Sequence, residues 1–241
     1  MIRLFISQKI AADILVLLDE KQHHYLCRVM RLKDGDTVSV FNSLDGEWEG
    51  KLKTVSKKET GLLPVRQIRA PLKTPDCILC PALIKKENMD LVIQKATELG
   101  ATQIRPVITD HTAHRSFNLA RARLIAIESA EQCERLDVPD IYLPQPLLSF
   151  LKEFPADKKL VYLSERGQTS GNGIGGAHAF LIGPEGGFSP AEIKHLAGLD
   201  FAVPLHLGDR ILRAETASIA VLSCMQFAPF LNTCSKKVVM G

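Results

Sequence analysis

The distribution of apolar and polar positions divides the chain into two dissimilar regions. In the first, apolar residues alternate with polar ones over short stretches, which predicts strands at 37–42, 47–55 and 61–68. The Asp45-Gly46 pair between the first two predicts a hairpin turn. A small β-barrel-like domain is therefore expected here, with residues 23–30 as its one helix.

After two prolines in the segment 68–77, the pattern changes to apolar strands separated by helices. Short apolar runs predict strands at 78–84, 104–107, 160–163, 180–182 and 201–207, and apolar residues at helical spacing predict helices at 89–99 and 119–136. This alternation is typical of an α/β domain with a mostly parallel sheet. We therefore predict two domains, residues 1–72 and residues 73–241.

Two loops with little side-chain cover follow the last two predicted strands. The first reads GPEGG over residues 183–187, and SPAE at 189–192 predicts a capped helix directly after it. The second reads LGDRILR over residues 207–213, and helical spacing of apolar residues begins at Ala214. Loops at the carboxyl ends of neighbouring parallel strands form a ligand crevice, so these two loops are expected to bind a ligand.

The two motifs, in this order, resemble those of the SPOUT superfamily of RNA methyltransferases, and within it the bacterial small-subunit (16S) ribosomal RNA uridine-N3 methyltransferases. The resemblance extends through residues 23–42, 89–107 and 128–139, and GPEGG together with ILRAETA is highly specific. Leu124 and Cys133 depart from it, standing where a tryptophan and a serine are expected. The resemblance implies an N-terminal PUA-like RNA-binding β-barrel and a C-terminal SPOUT domain with a deep trefoil knot. It also implies a homodimer, with the helix from Ala214 as the main contact.

The resemblance further implies S-adenosyl-L-methionine as cofactor, held by three loops. The expected cofactor-binding residues are Leu163, Ser164, Glu165, Ile182, Gly183, Pro184, Glu185, Gly186, Gly187, Leu207, Gly208, Ile211, Leu212, Arg213, Thr216 and Ala217. Backbone groups would recognise the adenine edge, while apolar side chains cover its faces. Arg213 is the expected cation beside the uracil ring, where negative charge develops. Glu185 or Glu215 could accept the proton or could instead order the loops, so the proton acceptor stays unassigned.

The charge distribution bears on the RNA partner. The net charge is only +3, but residues 1–72 hold 12 Lys and Arg against 9 Asp and Glu, whereas the rest of the chain is balanced. The excess favours a polyanion contact in the first domain, although a solvated surface explains so small a difference equally well. We predict RNA contacts at Arg3, Arg28, Arg31 and Arg115, with 16S ribosomal RNA or the assembled small subunit as partner.

Three other features of the sequence argue against a zinc site, a dinucleotide site and a membrane or secreted protein. The C-x-x-C at 77–80 and the H-x-x-H at 111–114 lack the spacing of a zinc finger, so no metal is expected and the cysteines are interpreted as buried thiols. The G-x-G-x-x-G at 171–176 leads into a strand rather than a helix, so it is interpreted as a surface loop and not a dinucleotide site. No signal peptide or membrane-length apolar run is present, so a cytoplasmic protein without membrane contact is expected.

The resemblance implies an S-adenosylmethionine-dependent enzyme that methylates uridine N3 in 16S ribosomal RNA. Two alternatives stay open from the sequence. A related SPOUT enzyme could methylate a ribose 2'-hydroxyl or a transfer RNA. A noncatalytic RNA-binding protein could keep the fold without binding the methyl donor.

Overall fold

The computed structural model describes residues 1–56, 59–164 and 175–238, with side chains described as far as Phe227. The chain divides into two compact units. The first comprises Met1–Thr74 together with Ala130–Val138, and the second comprises Pro75–Ser129 together with Pro139–Gly241. Residues 130–138 therefore belong with the N-terminal part of the chain, although they lie far from it in sequence.

The first unit is built on a five-stranded sheet. Its strands are β1 (Arg3–Phe5), β2 (Val16–Leu17), β3 (Thr37–Asn42), β4 (Gly46–Thr54) and β5 (Thr60–Arg69), in the spatial order β1-β3-β4-β5-β2. β1 pairs with β3 in parallel, and the other pairs are antiparallel. The three predicted strands are confirmed to within one residue at each end, whereas β1 and β2 are too short to show an alternating pattern.

The predicted hairpin joins β3 and β4, and it depends on one glycine. Gly46 has a φ of +76°, a conformation that residues with a Cβ rarely adopt. A Cβ at this position would also lie 2.2 Å from the backbone oxygen of Arg69. The turn therefore requires glycine both for its backbone angle and for the close approach of β5.

The one helical segment of this unit changes its winding midway. Helix α1 (Glu20–His24) begins at Asp19, which forms a capping box with Gln22. It continues into a π-helical turn, Tyr25–Val29. The predicted helix at 23–30 is thus confirmed in kind, but it begins three residues earlier and ends in a wider turn.

The second unit contains a six-stranded parallel sheet, which confirms the predicted α/β class. The strands of this unit are β6 (Ile78–Pro81), β7 (Gln103–Ile104), β8 (Val107–Ile108), β9 (Asp140–Ile141), β10 (Gln145–Pro146), β11 (Lys159–Leu163), β12 (Ala177–Ile182) and β13 (Ala202–Leu205). The sheet has the order β13-β11-β12-β6-β7-β9, while β8 and β10 form a separate pair. The strand predicted at 104–107 is divided into β7 and β8 around Pro106, which has no backbone N–H to donate.

Five helices connect these strands in the described part of the chain. They are α2 (Lys86–Glu98), α3 (Leu119–Gln132), α4 (Leu147–Glu153), α5 (Pro190–Ala197) and α6 (Ala214–Val238). The predicted capping box is confirmed at Ser189, whose hydroxyl accepts from the Glu192 N–H while the Glu192 carboxylate accepts from the Ser189 N–H. Helix α6 packs on α2 and on the central strands β6 and β12. Among the described residues, no helix combines the length and apolarity needed to span a bilayer.

The two cysteines of the C-x-x-C pattern lie in the buried centre of this sheet region. Cys77 is 1% exposed and Cys80 is fully buried, as predicted for structural thiols. Burial raises the pKa of the Cys80 thiol far above its ordinary value, which keeps it protonated. Within the described residues, no group of three His, Cys, Asp or Glu side chains is placed to hold a metal.

Candidate active site

A cavity of about 260 Å³ lies at the carboxyl ends of β11, β12 and β13, which are neighbours in the parallel sheet. Its described lining consists of Leu163, Ser164, Ile182, Gly183, Pro184, Gly186, Gly187, Phe188, Ile193, Leu205, His206, Leu207, Gly208, Arg210, Ile211, Leu212, Ala214 and Ala217. The loops that follow these three strands therefore enclose one site. Its lining combines apolar side chains and bare backbone with three polar side chains, Ser164, His206 and Arg210.

Most of the sequence-predicted cofactor residues lie in this lining. They are Leu163, Ser164, Ile182, Gly183, Pro184, Gly186, Gly187, Leu207, Gly208, Ile211, Leu212 and Ala217. Three others, Glu185, Arg213 and Thr216, are exposed and lie outside the lining. Glu165 lies outside the described residues, as does most of the glycine-rich segment 171–176.

Sequence reasoning missed several lining residues, of which two are polar. His206 is half-buried and lines the cavity, with its Nδ1 3.2 Å from the Ser164 carbonyl oxygen. Arg210 belongs to the LGDRILR motif but was not assigned a role. Phe188, Ile193, Leu205 and Ala214 complete the missed set. Their membership of the two motifs was the signal that could have found them.

The first loop has close neighbours at two of its glycines, which leave little room for side chains there. A Cβ at Gly183 would lie 3.3 Å from the Phe188 ring, and a Cβ at Gly186 would lie 3.3 Å from the His111 Cβ. Gly187 has a φ of +66°, and its N–H donates to the Pro184 carbonyl at 2.9 Å. The GPEGG segment is thus a tight turn with three glycines that place no side chain over its backbone.

The segment after β8 holds this loop in place. His111 Nδ1 lies 2.9 Å from the Gly186 carbonyl oxygen and 3.2 Å from that of Gly187. Carbonyl oxygens only accept, so Nδ1 must carry the proton. Asp110 donates its backbone N–H to Glu192 at 2.9 Å and accepts from the Ser189 hydroxyl at 2.5 Å. His111 therefore anchors the loop, a role that the sequence did not indicate.

The second loop is fixed at both ends. The Ser164 N–H donates to the Leu205 carbonyl at 3.0 Å, which continues the pairing of β11 and β13 to the cavity edge. Gly208 turns the chain with a φ of +98°. At the other end the Ala217 N–H donates to the Arg213 carbonyl at 2.8 Å, which starts α6.

Three charged side chains around the site differ in their surroundings. Arg210 is the one permanently charged residue in the described lining; it is exposed and has no ion pair with any described residue. Glu215, next to the lining residue Ala214, is only 8% exposed, and its Oε2 has no hydrogen-bond partner among the described residues. Glu185 is exposed on the first loop. The cavity lining thus contains one cation, Arg210, that has no ion pair with a described residue.

The predicted RNA contacts divide into one buried and three exposed arginines. Arg3 corrects the prediction, because its side chain is 8% exposed and its guanidinium bonds Glu47 and the carbonyl oxygens of residues 130, 131 and 135. It is committed to packing within the first unit. Arg28, Arg31 and Arg115 are exposed. Arg31 follows the π-helical turn with a φ of +57°.

Two family models match this chain, and the larger match contains the site. A family model described as an RNA methyltransferase domain matches residues 71–226, and a model described as an RNA methyltransferase PUA domain matches residues 18–59. The chain belongs to the RNA methyltransferase family. The larger match includes the whole cavity lining, and the smaller includes α1, the π-helical turn and β3 to β4.

Curated relatives and solved structures agree with this membership. The chain is 31% identical to the ribosomal RNA small subunit methyltransferase E of Rickettsia conorii, over 92% of this chain and 93% of the relative. It is 32% identical to the protein of the same name from Bacillus subtilis, over 85% of this chain and 86% of the relative.

Two similar structures were solved with S-adenosylmethionine bound. A ribosomal RNA small subunit methyltransferase E from Neisseria gonorrhoeae matches with a TM-score of 0.82 and 26% identity, over 95% of this chain and 98% of that one. A methyltransferase from Legionella pneumophila matches with a TM-score of 0.80 and 28% identity, over 94% of this chain and 97% of that one.

Proposed function

We propose that this protein is an S-adenosylmethionine-dependent methyltransferase that modifies uridine N3 in the RNA of the small ribosomal subunit. The observation that carries the proposal is the cavity built by GPEGG and LGDRILR at the ends of three adjacent parallel strands. Relatives that align along most of the chain are named for methylation of small-subunit ribosomal RNA. Two similar structures hold the same methyl donor.

The residues of the cavity fit this cofactor. Ile182, Leu207 and Ile211 provide apolar surface of the kind that covers an adenine ring, and the uncovered backbone of the first loop provides hydrogen-bonding groups for its edge. Because Gly183, Gly186 and Gly187 carry no side chain, a ligand can approach that backbone closely. When bound, the cofactor supplies a methyl group attached to a positively charged sulfur.

The protein's part in the reaction is alignment and control of charge. The contacts of His111, Asp110 and Glu192 hold the first loop rigid, so the donor is presented in one orientation. The apolar lining excludes water from the side of the donor that the base does not approach. A cation on the second loop stabilises the charge that develops on the uracil ring.

The test of this proposal identifies the product. Full-length protein, labelled donor and small subunits from a strain that lacks the enzyme are incubated, and the RNA nucleosides are separated and analysed by mass spectrometry. We expect label in N3-methyluridine. A ribose-methylated nucleoside, or label only in transfer RNA, would assign the chain to another methyltransferase class. Failure to bind the donor at all would favour a noncatalytic RNA-binding protein.

We further propose that the first unit receives the RNA and that its exposed arginines contact phosphates. Arg28→Glu combined with Arg31→Glu should weaken binding to the RNA and flatten its salt dependence, because two fewer phosphates are neutralised. The slope of log affinity against log salt should fall by about 1.4 to 1.8, at roughly 0.7 per phosphate for single strands to 0.9 for a duplex. Filter binding at several salt concentrations measures this slope.

The matched control reverses the same amount of charge elsewhere in that unit. Lys9 and Lys53 are also exposed, and Lys9→Glu combined with Lys53→Glu produces the same net charge. We expect a smaller change of slope in this control. Equal slopes in the two double variants would show that only overall charge matters and that Arg28 and Arg31 make no specific contact.

The finer features expected from the sequence and from the family resemblance are also proposals. We propose that the C-terminal part of the chain forms a trefoil knot, that the protein acts in the cytoplasm, and that it forms a homodimer through α6. Val221 and Leu222 are buried within the chain, whereas Phe227 on the same helix is 49% exposed, which supports a second contact face. The side chains of Phe230 and Leu231, part of the predicted interface, lie outside the described residues.

A further inference from the structure

The two arginines of LGDRILR differ in where the loop places them. Arg210 lies in the cavity lining, whereas Arg213 is exposed outside it and contributes its backbone carbonyl to the start of α6. The sequence favoured Arg213 as the catalytic cation. The structure has Arg210, and not Arg213, in the cavity lining.

An unpaired arginine in an apolar lining is available to an anion that arrives with a ligand. Guanidinium groups stay protonated, and with no acidic partner among the described residues the donors of Arg210 are open to a new acceptor. Three anionic groups come to such a site: the carboxylate of the methyl donor, an RNA phosphate, and the uracil ring once N3 has lost its proton. The choice among them follows from the position of Arg210.

The position favours the uracil ring. Arg210 is exposed although it lines the cavity, so it lies at the open side through which the RNA base must approach the donor. A phosphate contact would not need a place in the lining. Of the apolar residues that suit the donor, Ile182 and Ala217 are buried, whereas Ile211, next to Arg210, is 65% exposed and marks the same open side. The reacting base and the unpaired cation therefore meet at the same opening.

We propose that Arg210 stabilises the negative charge of the target uracil during methylation, an inference that rests on the proposed function. In this step the N3–H bond breaks and the proton passes to water at the open side of the cavity. The electron pair left on N3 forms the bond to the methyl carbon, while the carbon–sulfur bond breaks and its electrons stay on sulfur. Before transfer the ring charge is shared with the two carbonyl oxygens that flank N3, and Arg210 donates to one of them.

This role makes the effect of Arg210 depend on pH. Arg210 raises the fraction of bound uridine that has lost its N3 proton at neutral pH, so the side chain matters most where free uridine is still protonated. At high pH the uridine ionises without help. The other titratable groups at the site are common to the enzyme and the variant: His206 in the lining, His111, Asp209 and Glu185 around its loops, and the nearly buried Glu215 beside Ala214.

Replacing Arg210 with glutamine tests the proposal in the full-length protein. With small subunits as substrate, we expect kcat at neutral pH to fall by roughly 10²- to 10³-fold, the usual loss for one charge stabiliser. The deficit should shrink steadily as pH rises. Donor affinity, measured by calorimetry without RNA, should stay within about threefold, a difference below 1 kcal/mol. Arg210→Lys should recover only part of kcat, because a point charge lacks the planar fork.

The control and the contradicting outcomes separate the alternatives. Lys194→Gln, which removes an exposed charge from α5, should leave activity unchanged. No methylation of small-subunit RNA by the unaltered protein would overturn the proposed function itself. If the unaltered protein is active, four results overturn the role of Arg210: a deficit equal at all pH values, a main loss in donor affinity, a change confined to KM and its salt dependence, or a larger kcat loss in Arg213→Gln than in Arg210→Gln.

Discussion

Replacing Gly186 with valine should weaken binding of S-adenosylmethionine by about 100-fold, which corresponds to about 2.7 kcal/mol. A Cβ at this position would lie 3.3 Å from the His111 Cβ, so the first loop or the histidine must move. Valine also places methyl groups over backbone that lines the cavity. Movement of the loop would break the hydrogen bonds from His111 to the carbonyls of Gly186 and Gly187. Isothermal calorimetry with the full-length protein measures the loss.

A second glycine to valine change provides the control. Gly198 ends α5 with an ordinary φ of −87°, and a Cβ there would meet its nearest neighbour at 3.4 Å, within normal contact. Gly198→Val should leave donor affinity within about threefold. Unchanged affinity in Gly186→Val, with a thermal transition like that of the unaltered protein, would mean that the donor does not contact the first loop.

The parts of the fold that the sequence predicted well are those governed by local pattern. Strands β3, β4 and β5 are long enough for alternation to show, and the capping box at Ser189 is a local arrangement of four residues. In both cases the physical cause acts over fewer than about ten residues. The GPEGG loop was assigned to a ligand for a different reason, namely that two such loops follow neighbouring parallel strands at the same end of the sheet.

The parts that could not be predicted depend on contacts between distant segments. His111 meets the first loop across 75 residues of sequence, and no periodicity indicates such a pairing. Which arginine of LGDRILR lines the cavity depends on the turn at Gly208, with its φ of +98°, and not on residue type. The placement of Arg3 in a buried network likewise required its partners to be known.

The assignment of residues 130–138 to the first unit has a practical consequence. Ala130 and Leu136 are buried in a cluster with Phe41, and Phe5 donates its backbone N–H to Glu131 at 3.0 Å. A fragment that begins at residue 73 would carry this segment without the residues it packs against. Donor binding is therefore best measured on the full chain, which is why the binding tests use it.

The buried carboxylate of Glu47 accepts hydrogen bonds from three side chains of the first unit. Its oxygens lie 2.7 Å from Arg3 Nε and 3.2 Å from an Arg69 guanidinium nitrogen, and it also accepts from the Ser39 hydroxyl. Burial alone would raise the pKa of Glu47, but the hydrogen bonds from Arg3 and Ser39 and the charges of Arg3 and Arg69 hold it below its ordinary value. Glu47 is therefore ionised at neutral pH and serves as the counter-ion of a nearly buried arginine.

Replacing Glu47 with glutamine should lower the free energy of unfolding of the first unit by about 3 kcal/mol at neutral pH, because Arg3 is left buried without its anion. Because the pKa of Glu47 is lower in the folded protein than its ordinary value of 4.5, the carboxylate stabilises the fold at pH values above 4.5. That stabilisation is lost as pH falls through the lowered pKa. The difference in the free energy of unfolding between the two proteins should therefore shrink in acid.

Urea unfolding followed by the fluorescence of Trp48, the single tryptophan, reports on this unit. Glu49→Gln removes the partner of Arg66, which is 70% exposed, and should change stability by less than about 1 kcal/mol. Equal losses in the two variants would show that the buried network contributes no more than a surface pair.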